Sequence, residues 1–484
     1  MFFGAITAWF SVACDTMVAT PAFTRSGMLF AKNSDRPVGE AQPLAQELRR
    51  QYPPGTSVPA CCVAPGKCLL QIPQANETFR HVGSRPIWCA GYEADANEFS
   101  VVIGNEAWTS VLPPSDKPVL VGMELLRFGL ERARTARAAL NEMAKLVTNF
   151  GQGCCAGCPA AASYDNIYLI ADAKEAFVLL AAGHEWAWKK VTTGFLSISN
   201  VGQVGAEADG LSPTAHATAI KLGLWNGSGS FPGFAEVYGN RSTVQSGKQR
   251  QQRSSYLLQS LHQSASTVKV EDLMGILSDH GIGTQPIQIT PRWSDDHLNP
   301  ELCAHGAGPP PSAGYHTAAS LVADLATETH QAEANASGPG RLPVFFHSIS
   351  NPCSSIFYPV FPGGVLPTTL SDPTTWQLVH DLIWQRAGQN MSKLSELRHS
   401  WHVLRDQFLQ SAYKVAAQAW ELQAKGQDRQ REQLLTEYMR ESAQKVLQRA
   451  LQLNHSLSLS ASAVHRVVPP VPGAAAPAPP AALL

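Results

Sequence analysis

The chain carries almost no net charge and few charged residues. Lysine and arginine total 37 against 38 aspartates and glutamates, a formal net charge of −1, and charged residues make up 15% of the 484 residues, below the usual share of about 25%. Because neither sign dominates, the composition argues against a nucleic-acid partner. The sequence also lacks an apolar run near the roughly 20 residues that cross a bilayer, so we expect no stable membrane span.

Apolar residues are plentiful, at 44% of the chain, and this excludes a wholly disordered protein. A prior of about 150 residues per domain allows one large domain or two to three smaller ones. Strand-like and helical patterns occur in blocks, without strict βαβ alternation, and this favours a layered α+β architecture.

Hydrophobic periodicity predicts the individual elements. Helical spacing is clearest over 119–150 and recurs over 268–278,. A turn near residue 26 predicts a hairpin that brings Asn33, Ser34 and Asp35 close to the start of the chain. The predicted strands are 98–105, 167–171, 177–181, 195–200, 319–325 and 344–347.

Composition shifts divide the chain further. Residues 201–265 and 281–315 are rich in Gly, Ser, Pro and Gln and predict long loops or insertions,. A Gln-, Arg-, Glu- and Leu-rich stretch over 372–453 predicts an amphipathic helical hairpin packed on the main domain, with a coiled-coil partner surface as the alternative. The predicted units are a signal or pro-segment at 1–13, a main domain at 14–370, a helical extension at 371–465 and a disordered Pro/Ala tail at 466–484,.

Six of the ten cysteines cluster in two groups, 61–68 and 154–158. Cys155 and Cys158 have the CxxC spacing of a zinc site, but a closed site needs a second ligand pair. The nearest candidates, Cys303 and His305, lie far along the chain and are separated by one residue. We therefore favour disulfides or buried thiols over zinc.

The first 13 residues predict passage into the secretory pathway. They carry no charged side chain and end in Ser11-Val12-Ala13, the small-residue spacing that signal peptidase accepts,. Sequons offer independent support, although a Ser/Thr-rich surface also explains them. The candidate glycosylation sites are Asn76, Asn226, Asn240, Asn335, Asn390 and Asn454. We expect a secreted or lysosomal protein, with a cytoplasmic location as the alternative.

Cleavage after Ala13 would make Cys14 the first residue, with a free α-amine beside its thiol. An α-amine has an ordinary pKa near 7.7–8.0, so it can take the thiol proton close to neutrality. Nucleophile and base would then sit on one residue. The alternative is a buried or disulfide-linked cysteine.

Several segments in collinear order bear on this choice. They are CDTMV (14–18), FAKNSDRP (30–37), SRPIW (84–88), IGNEA (103–107), GMELLR (122–127), ISN (198–200), TAAS (317–320) and NPCSSIF (351–357). Together they resemble the secernins, relatives of bacterial N-terminal-nucleophile dipeptidases and, more distantly, of bile-salt hydrolase and penicillin V acylase. The resemblance implies a four-layer αββα sandwich of the N-terminal-nucleophile hydrolase type with a C-terminal helical extension. It also implies a reaction that requires no metal or organic cofactor.

The resemblance also implies catalytic roles. Cys14 matches the nucleophile, and Asp35 matches the acidic residue that holds the α-amine and thiol. Asn105 and Asn200 match asparagines that contact the developing oxyanion, for which an amide N–H₂ is a suitable neutral donor. Asp35 as a loop cap and Asn200 as a strand-end turn residue are the structural alternatives.

Substrate-binding candidates follow from the same segments. Lys32 stands where the acylases carry an arginine. The positive charge is retained, but the bidentate hydrogen bonding of a guanidinium is lost. Arg36 is a second cation suited to a substrate carboxylate, and Trp88 packs nearby or lines the pocket. In the alternative interpretation Lys32 and Arg36 are solvated surface charges. Two departures from the family pattern are Ser100 in place of a glycine and Leu180 in place of a glutamate.

These observations predict a cysteine amide hydrolase whose partner is a small peptide or amide, a dipeptidase by resemblance. The main alternative is a non-catalytic secernin-type factor in exocytosis. A weaker one is hydrolysis of a lipid-like or sterol-like acyl amide. The sequence leaves open whether the protein forms an oligomer.

Overall fold

The computed structural model describes residues 14–24, 27–64, 67–155, 164–192, 194–240, 245–264, 267–281, 302–305, 315–325, 340–387 and 390–458. The expected signal segment 1–13 and tail 466–484 lie outside these residues. In chain order the strands are β1 (Cys14–Ala19), β2 (Met28–Pro37), β3 (Leu44–Glu47), β4 (Arg50–Gln51), β5 (Ser57–Ala64), β6 (Lys67–Pro73), β7 (Glu77–Thr78), β8 (His81–Ser84), β9 (Ala94–Asn97), β10 (Val102–Trp108), β11 (Asp165–Ala171), β12 (Ala176–Ala182), β13 (Glu185–Lys190), β14 (Phe195–Ser199), β15 (Gly210–Leu211), β16 (Tyr315–Leu325), β17 (Val344–Ile349) and β18 (Phe357–Val360).

The helices include two long ones near the C-terminus. In chain order they are α1 (Pro21–Thr24), α2 (Gly122–Arg132), α3 (Ala136–Phe150), α4 (Ala215–Lys221), α5 (Phe234–Tyr238), α6 (Gln245–Ser264), α7 (Val270–Leu277), α8 (Thr368–Ser371), α9 (Pro373–Asp381), a π-helical segment (Leu382–Ala387), α10 (Met391–Ala424) and α11 (Asp428–Ser458). Among the described residues, none of these helices has both the length and the apolar character to cross a membrane.

Two antiparallel sheets form the centre of the fold. The six-stranded sheet has the order β14-β1-β2-β16-β17-β18, and the eight-stranded sheet has the order β15-β13-β12-β11-β10-β9-β8-β3. One buried cluster joins them, with Val18 and Phe30 from the first sheet packed with Val102, Ile167 and Val178 from the second. The two sheets therefore face each other across an apolar layer, as sheets do when each must bury one face.

Helices cover both outer faces. On the eight-stranded sheet, Leu125 of α2 and Leu140 of α3 belong to one buried cluster with Phe177 of β12. On the six-stranded sheet, the corresponding cluster unites Met17 of β1 with Trp401 of α10 and with further side chains of α7, α9 and α11. The layer order is αββα, which confirms the predicted α+β four-layer fold.

The C-terminal helices pack on the outer face of the six-stranded sheet. Helices α10 and α11 lie against each other and against β18. Trp401 is fully buried, and the backbone N–H of Phe361 donates to the Met439 sulfur over 3.2 Å. The extension over 371–458 therefore shares its core with the sheet that begins at Cys14.

Two predicted elements are each interrupted by a turn. The helix expected over 119–150 ends at Arg132 and restarts at Ala136, because the Thr135 hydroxyl caps the second helix by accepting from Ala138 N,. Of the strand expected over 98–105, residues 98–101 form the turn between β9 and β10, and 102–105 are strand, as the start of β10. Ser100 has a φ of +68° there, the left-handed region that favours glycine,.

The interpretation of 201–265 as loops was wrong, since the segment contains α4, α5 and α6. Apolar periodicity does not reveal helix α6. Its buried residues Arg250, Ser254 and Leu258 are spaced four residues apart, but only Leu258 is apolar,. Of the region expected as loop over 281–315, residues 282–301 and 306–314 lie outside the described part of the chain.

The shared core makes a testable prediction about the helical extension. Leu397 of α10 is fully buried, so Leu397→Ala should lower the free energy of unfolding by about 2–5 kcal/mol,. Leu451→Ala is the matched control, because Leu451 is 53% exposed, and its cost should stay within about 0.5 kcal/mol. Urea unfolding followed by tryptophan fluorescence measures both. A separate early transition for the extension, or equal costs for the two variants, would contradict the shared core.

Candidate active site

Cys14 is the first residue of β1, in the interior of the six-stranded sheet. Strand β1 lies between β14 and β2, and Cys14 pairs with Ser34 of β2. The side chain is fully buried and packs against Ala107 and Tyr164. The predicted nucleophile is therefore held between the two sheets at one end of a central strand.

Asn200 holds the backbone nitrogen of Cys14. The Cys14 N–H donates to Asn200 Oδ1 over 2.8 Å, and Asn200 Nδ2 donates to the carbonyl of Ala107 over 2.6 Å. Asn200 directly follows β14, the strand paired with β1. Both ends of its amide are thus fixed, which sets the direction in which it meets Cys14.

Arg250 is the site residue that sequence reasoning missed. Its Nη2 donates to Asn200 Oδ1 over 2.5 Å, and its Nε donates to Asp15 Oδ2 over 3.1 Å. Ser199 also donates to the Asp15 carboxylate. The only signal in the sequence was the four-residue spacing of Arg250, Ser254 and Leu258 on α6. This guanidinium links the Asp15 carboxylate to the amide that holds Cys14.

Lys32 is fully buried in β2, which excludes its interpretation as a solvated surface charge. Its Nζ donates to the carbonyls of Asn105 over 2.6 Å and Asn33 over 3.3 Å. Gly104 leaves room for it, since a Cβ there would lie 2.7 Å from Lys32 Cδ.

Burial and charge set the protonation of the Lys32–Cys14 pair. Burial alone would lower the pKa of Lys32, but the neighbouring Cys14 and Glu106 reverse this and raise it above its ordinary value. Burial raises the pKa of the Cys14 thiol to about 12, and the Lys32 cation opposes that shift. The thiol therefore needs a nearby base to ionise near neutrality.

Asp35 stands on the opposite face of the sheet from the Cys14 side chain, because Cys14 pairs with its neighbour Ser34 and side chains alternate along β2,. Its Oδ1 accepts from the Thr317 hydroxyl over 2.7 Å. Burial, with a smaller contribution from Asp15, raises the pKa of Asp35 to about 7. In the described structure the acceptor for Cys14 N is Asn200, and the predicted role of Asp35 stays a prediction.

Asn105 enters the site through its backbone. Its carbonyl accepts from Lys32, whereas its side-chain amide lies between Asn166, at 3.1 Å, and Glu93. That amide is therefore engaged away from Cys14, and the oxyanion role of Asn105 also stays a prediction.

Arg36 and Trp88 lie together at the surface side of this group. The Arg36 guanidinium contacts Glu40 over 2.7 Å and Glu93 over 3.3 Å, and it lies 5.4 Å from the Trp88 ring. Trp88 is 53% exposed. Arg36 is thus buried and already paired with two carboxylates, so a substrate carboxylate would have to compete with them. Tyr164, which packs on Cys14, also interacts electrostatically with Arg36.

The cysteine clusters form disulfides. Cys61 pairs with Cys155, and Cys62 pairs with Cys68. Cys155 therefore has no thiolate to offer a metal, which removes the zinc interpretation of the CxxC pair. Of the sequon asparagines, Asn335 lies outside the described residues. Asn76, Asn226 and Asn390 are exposed, and Asn240 and Asn454 are half-buried.

No protein-family model matches the chain. Structure comparison finds two variants of the conjugated bile acid hydrolase from Clostridium perfringens, at 9% and 10% identity with TM-scores of 0.37 and 0.36, each covering 69% of this chain and 89% of that one. An N-acylethanolamine-hydrolyzing acid amidase ortholog from Caenorhabditis elegans is similar at 10% identity and a TM-score of 0.29, covering 64% of this chain and 92% of that one. These identities and scores are low, so the function of the site is argued from its own geometry.

The raised pKa of Asp35 predicts a pH-dependent stability. Its value rises from 3.8 to about 7 on folding, so the folded state binds this proton more tightly than the unfolded state and loses that advantage as the pH rises from about 4 to 7. Asp35→Asn removes the ionisation and keeps an acceptor for Thr317. The variant should gain stability relative to wild type over this range, by at most about 4 kcal/mol.

Urea unfolding of both proteins at several pH values measures this difference. Asp406→Asn, at an exposed position on α10, is the control and should track wild type. A difference between Asp35→Asn and wild type that stays constant from pH 4 to 8 would show that Asp35 ionises normally.

Proposed function

We propose that this chain is an N-terminal-cysteine amide hydrolase acting on small peptides or other small amides, with dipeptides favoured by the resemblance to the secernin and dipeptidase group. The observation that carries the proposal is the 2.8 Å contact between the backbone nitrogen of Cys14 and Asn200 Oδ1, at the head of a central strand. A catalytic α-amine would need such an acceptor to orient it.

Hydrolysis of the Ala13–Cys14 peptide bond would convert that nitrogen from an amide into an amine. One amine hydrogen bonds to Asn200 Oδ1, which directs the nitrogen lone pair away from Asn200. The lone pair then accepts the thiol proton, giving an ammonium and a thiolate. The buried Lys32 cation stabilises this thiolate, because it already opposes the rise in the Cys14 pKa.

The thiolate attacks the amide carbon, and a sulfur–carbon bond forms while the carbonyl electron pair moves to oxygen. In this proposal the amides of Asn200 and Asn105 donate to the oxyanion. Asn200 Nδ2 would exchange its bond to Ala107 O for this one, and the Asn105 amide would turn away from Asn166. Collapse breaks the carbon–nitrogen bond, and the α-ammonium gives its proton to the leaving nitrogen. Water then cleaves the thioester and regenerates the thiol.

The remaining candidates would position the reactants. Asp35 would influence the charge balance around Asp15, on its own face of the sheet, and around Lys32, on the opposite face. Arg36 and Trp88 would form one side of a substrate entrance, where the exposed indole offers an apolar surface. The secretory location, secreted or lysosomal, and glycosylation at the sequons belong to the same proposal, since cleavage by signal peptidase would expose Cys14.

The rival is a non-catalytic factor in exocytosis built on this scaffold. Two observations favour it: the Cys14 side chain is fully buried, and Arg36 is neutralised by Glu40 and Glu93. A chain that keeps residues 1–13 would leave Cys14 without an α-amine and would fit this rival.

The first prediction concerns Cys14 itself. Protein purified from its native host should begin at Cys14 by intact mass and N-terminal sequencing. Cys14→Ala should lower kcat/KM toward a dipeptide panel on the order of a thousandfold or more, since the nucleophile is lost. Ser371→Ala, at an exposed position of α8, should keep the wild-type rate. A native chain that starts at Met1 or past Cys14, or a Cys14→Ala variant with full activity, would refute the mechanism.

The second prediction concerns Arg250 as a positioning residue. Arg250→Lys keeps the positive charge, but a lysine lacks the planar guanidinium that donates to Asp15 and Asn200 at the same time. Because Asn200 would lose its fixed orientation, kcat should fall by about 10–100-fold with KM little changed. Arg49→Lys, at an exposed pair with Glu77, is the matched control. A fall confined to KM would place Arg250 in substrate binding instead.

A further inference from the structure

Four side chains with metal-binding atoms converge away from Cys14. His280 follows α7, Cys303 and His305 lie in the segment 302–305, and Cys353 follows β17. Their potential ligand atoms all lie within 4.8 Å of one another. Cys155 of the CxxC pair does not take part, because it is bonded to Cys61.

The three distances from His305 Nε2 are close to the edges of a small tetrahedron. His305 Nε2 lies 3.1 Å from His280 Nε2, 3.4 Å from Cys303 Sγ and 3.2 Å from Cys353 Sγ. With zinc–nitrogen bonds near 2.0–2.1 Å and zinc–sulfur bonds near 2.3 Å, a tetrahedral site has edges of about 3.3 Å between nitrogens and about 3.6 Å between nitrogen and sulfur. The observed edges are shorter by a few tenths of an ångström.

Hydrogen bonding accounts poorly for this arrangement. A histidine Nε2 offers either one proton or one lone pair, yet the Nε2 of His305 faces one ring nitrogen and two sulfurs. Only one of these three contacts can be a good hydrogen bond at a time. A metal ion at the centre would replace the contacts by four bonds.

The surroundings suit two thiolates. His280, Cys303 and His305 are buried, and Cys353 is partly buried. Arg398 Nη2 approaches Cys353 Sγ at 3.7 Å, and its Nε donates to the Cys353 carbonyl over 3.0 Å. N–H groups placed around ligand sulfurs in this way tune and orient metal ligands.

We propose that His280, Cys303, His305 and Cys353 bind one Zn²⁺ ion. Two thiolates balance the charge of a divalent ion, and a tetrahedral S₂N₂ ligand set favours zinc over the metals that prefer oxygen ligands. All four positions are filled by protein, which is the pattern of a structural site rather than a catalytic one. The expectation of no metal, taken from the family resemblance, would then hold only for the reaction.

The zinc would fix the segment 302–305 against β2. Asn33 Nδ2 donates to the carbonyl of Leu277, three residues before His280, over 2.8 Å and to that of Leu302, directly before Cys303, over 2.7 Å. Thr317 accepts from Ala304 N and donates to Asp35. The site would therefore stabilise the strand that carries Lys32, and it stands whether or not the chain hydrolyses amides.

Metal analysis of the full-length chain tests the proposal. Protein purified without added reductant, oxidant or chelator from cells supplied with zinc should contain one zinc per chain by inductively coupled plasma mass spectrometry. Cys303→Ser and Cys353→Ser should each reduce the bound zinc at least tenfold after dialysis. Cys89→Ser is the matched control, since Cys89 is a free cysteine outside the cluster, and it should keep the full amount.

A second measurement on the wild-type chain covers variants that fail to fold. Replacement of zinc by Co²⁺ should give the visible absorption of a tetrahedral ion with thiolate charge-transfer bands, saturating at one equivalent. Three results would overturn the proposal: no stoichiometric metal in wild-type protein given zinc, zinc retained by both cysteine variants, or a Cys303–Cys353 disulfide in the native protein by non-reducing peptide mapping. None of these results bears on Cys14 activity.

Discussion

The buried ion pair between Asp15 and Arg250 is the contact on which the geometry around Cys14 depends. Asp15 is the second residue of β1 and is fully buried, so its carboxylate must be compensated inside the protein,. Arg250 supplies the charge from α6 and reaches Asn200 with the same guanidinium. Removal of either partner would leave an uncompensated buried charge, a loss of about 3–5 kcal/mol. The position of α6 and the orientation of Asn200 are therefore set together.

The charged groups between the sheets, on the other face of β1 and β2, are compensated in the same way. Lys32 is surrounded by Cys14, Glu106 and Glu93, and these groups keep its pKa above the ordinary value despite burial. Burial raises the pKa of Glu106 to about 8, which Lys32 opposes. A single buried lysine thus acts on a thiol and on two carboxyl groups. Its place depends on Gly104, since any larger residue there would meet the lysine stem.

The layers of the fold could be predicted from the sequence because they follow from apolar periodicity. The clusters around Leu125 and Leu140, and around Trp401, are the stripes that the helical spacing indicates. Helix α6 could not be found in this way, because Arg250 and Ser254 fill two positions of its buried stripe. The turn at Ser100 was visible only as a departure from a family glycine, and its positive φ gives that departure its physical reason.

Strand pairing and sequence separation decide which contacts of the site could be predicted from the sequence. Cys14 and Asn200 meet because β1 pairs with β14, and strand pairing of this kind is implied by the fold. The contacts of Asp35 and Asn105 depend on the face of the sheet on which each side chain lies. Because side chains alternate along a strand, an error of one residue in the predicted register places a side chain on the wrong face. The His280–Cys353 cluster spans more than seventy residues, with only Cys303 and His305 close in sequence. No local spacing could have revealed it.

Strand β2 connects these two regions through alternation of its side chains. Lys32 faces the layer between the sheets, where it acts on Cys14, whereas Asn33 and Asp35 face the side of α7 and the segment 302–305. A disturbance at the His280–Cys353 cluster would reach Asn33 first, through the carbonyls of Leu277 and Leu302. It would affect Lys32 only by moving the backbone of β2. Because β2 pairs on both sides, with β1 and β16, that backbone resists displacement, so the two groups can share a strand without sharing side-chain contacts.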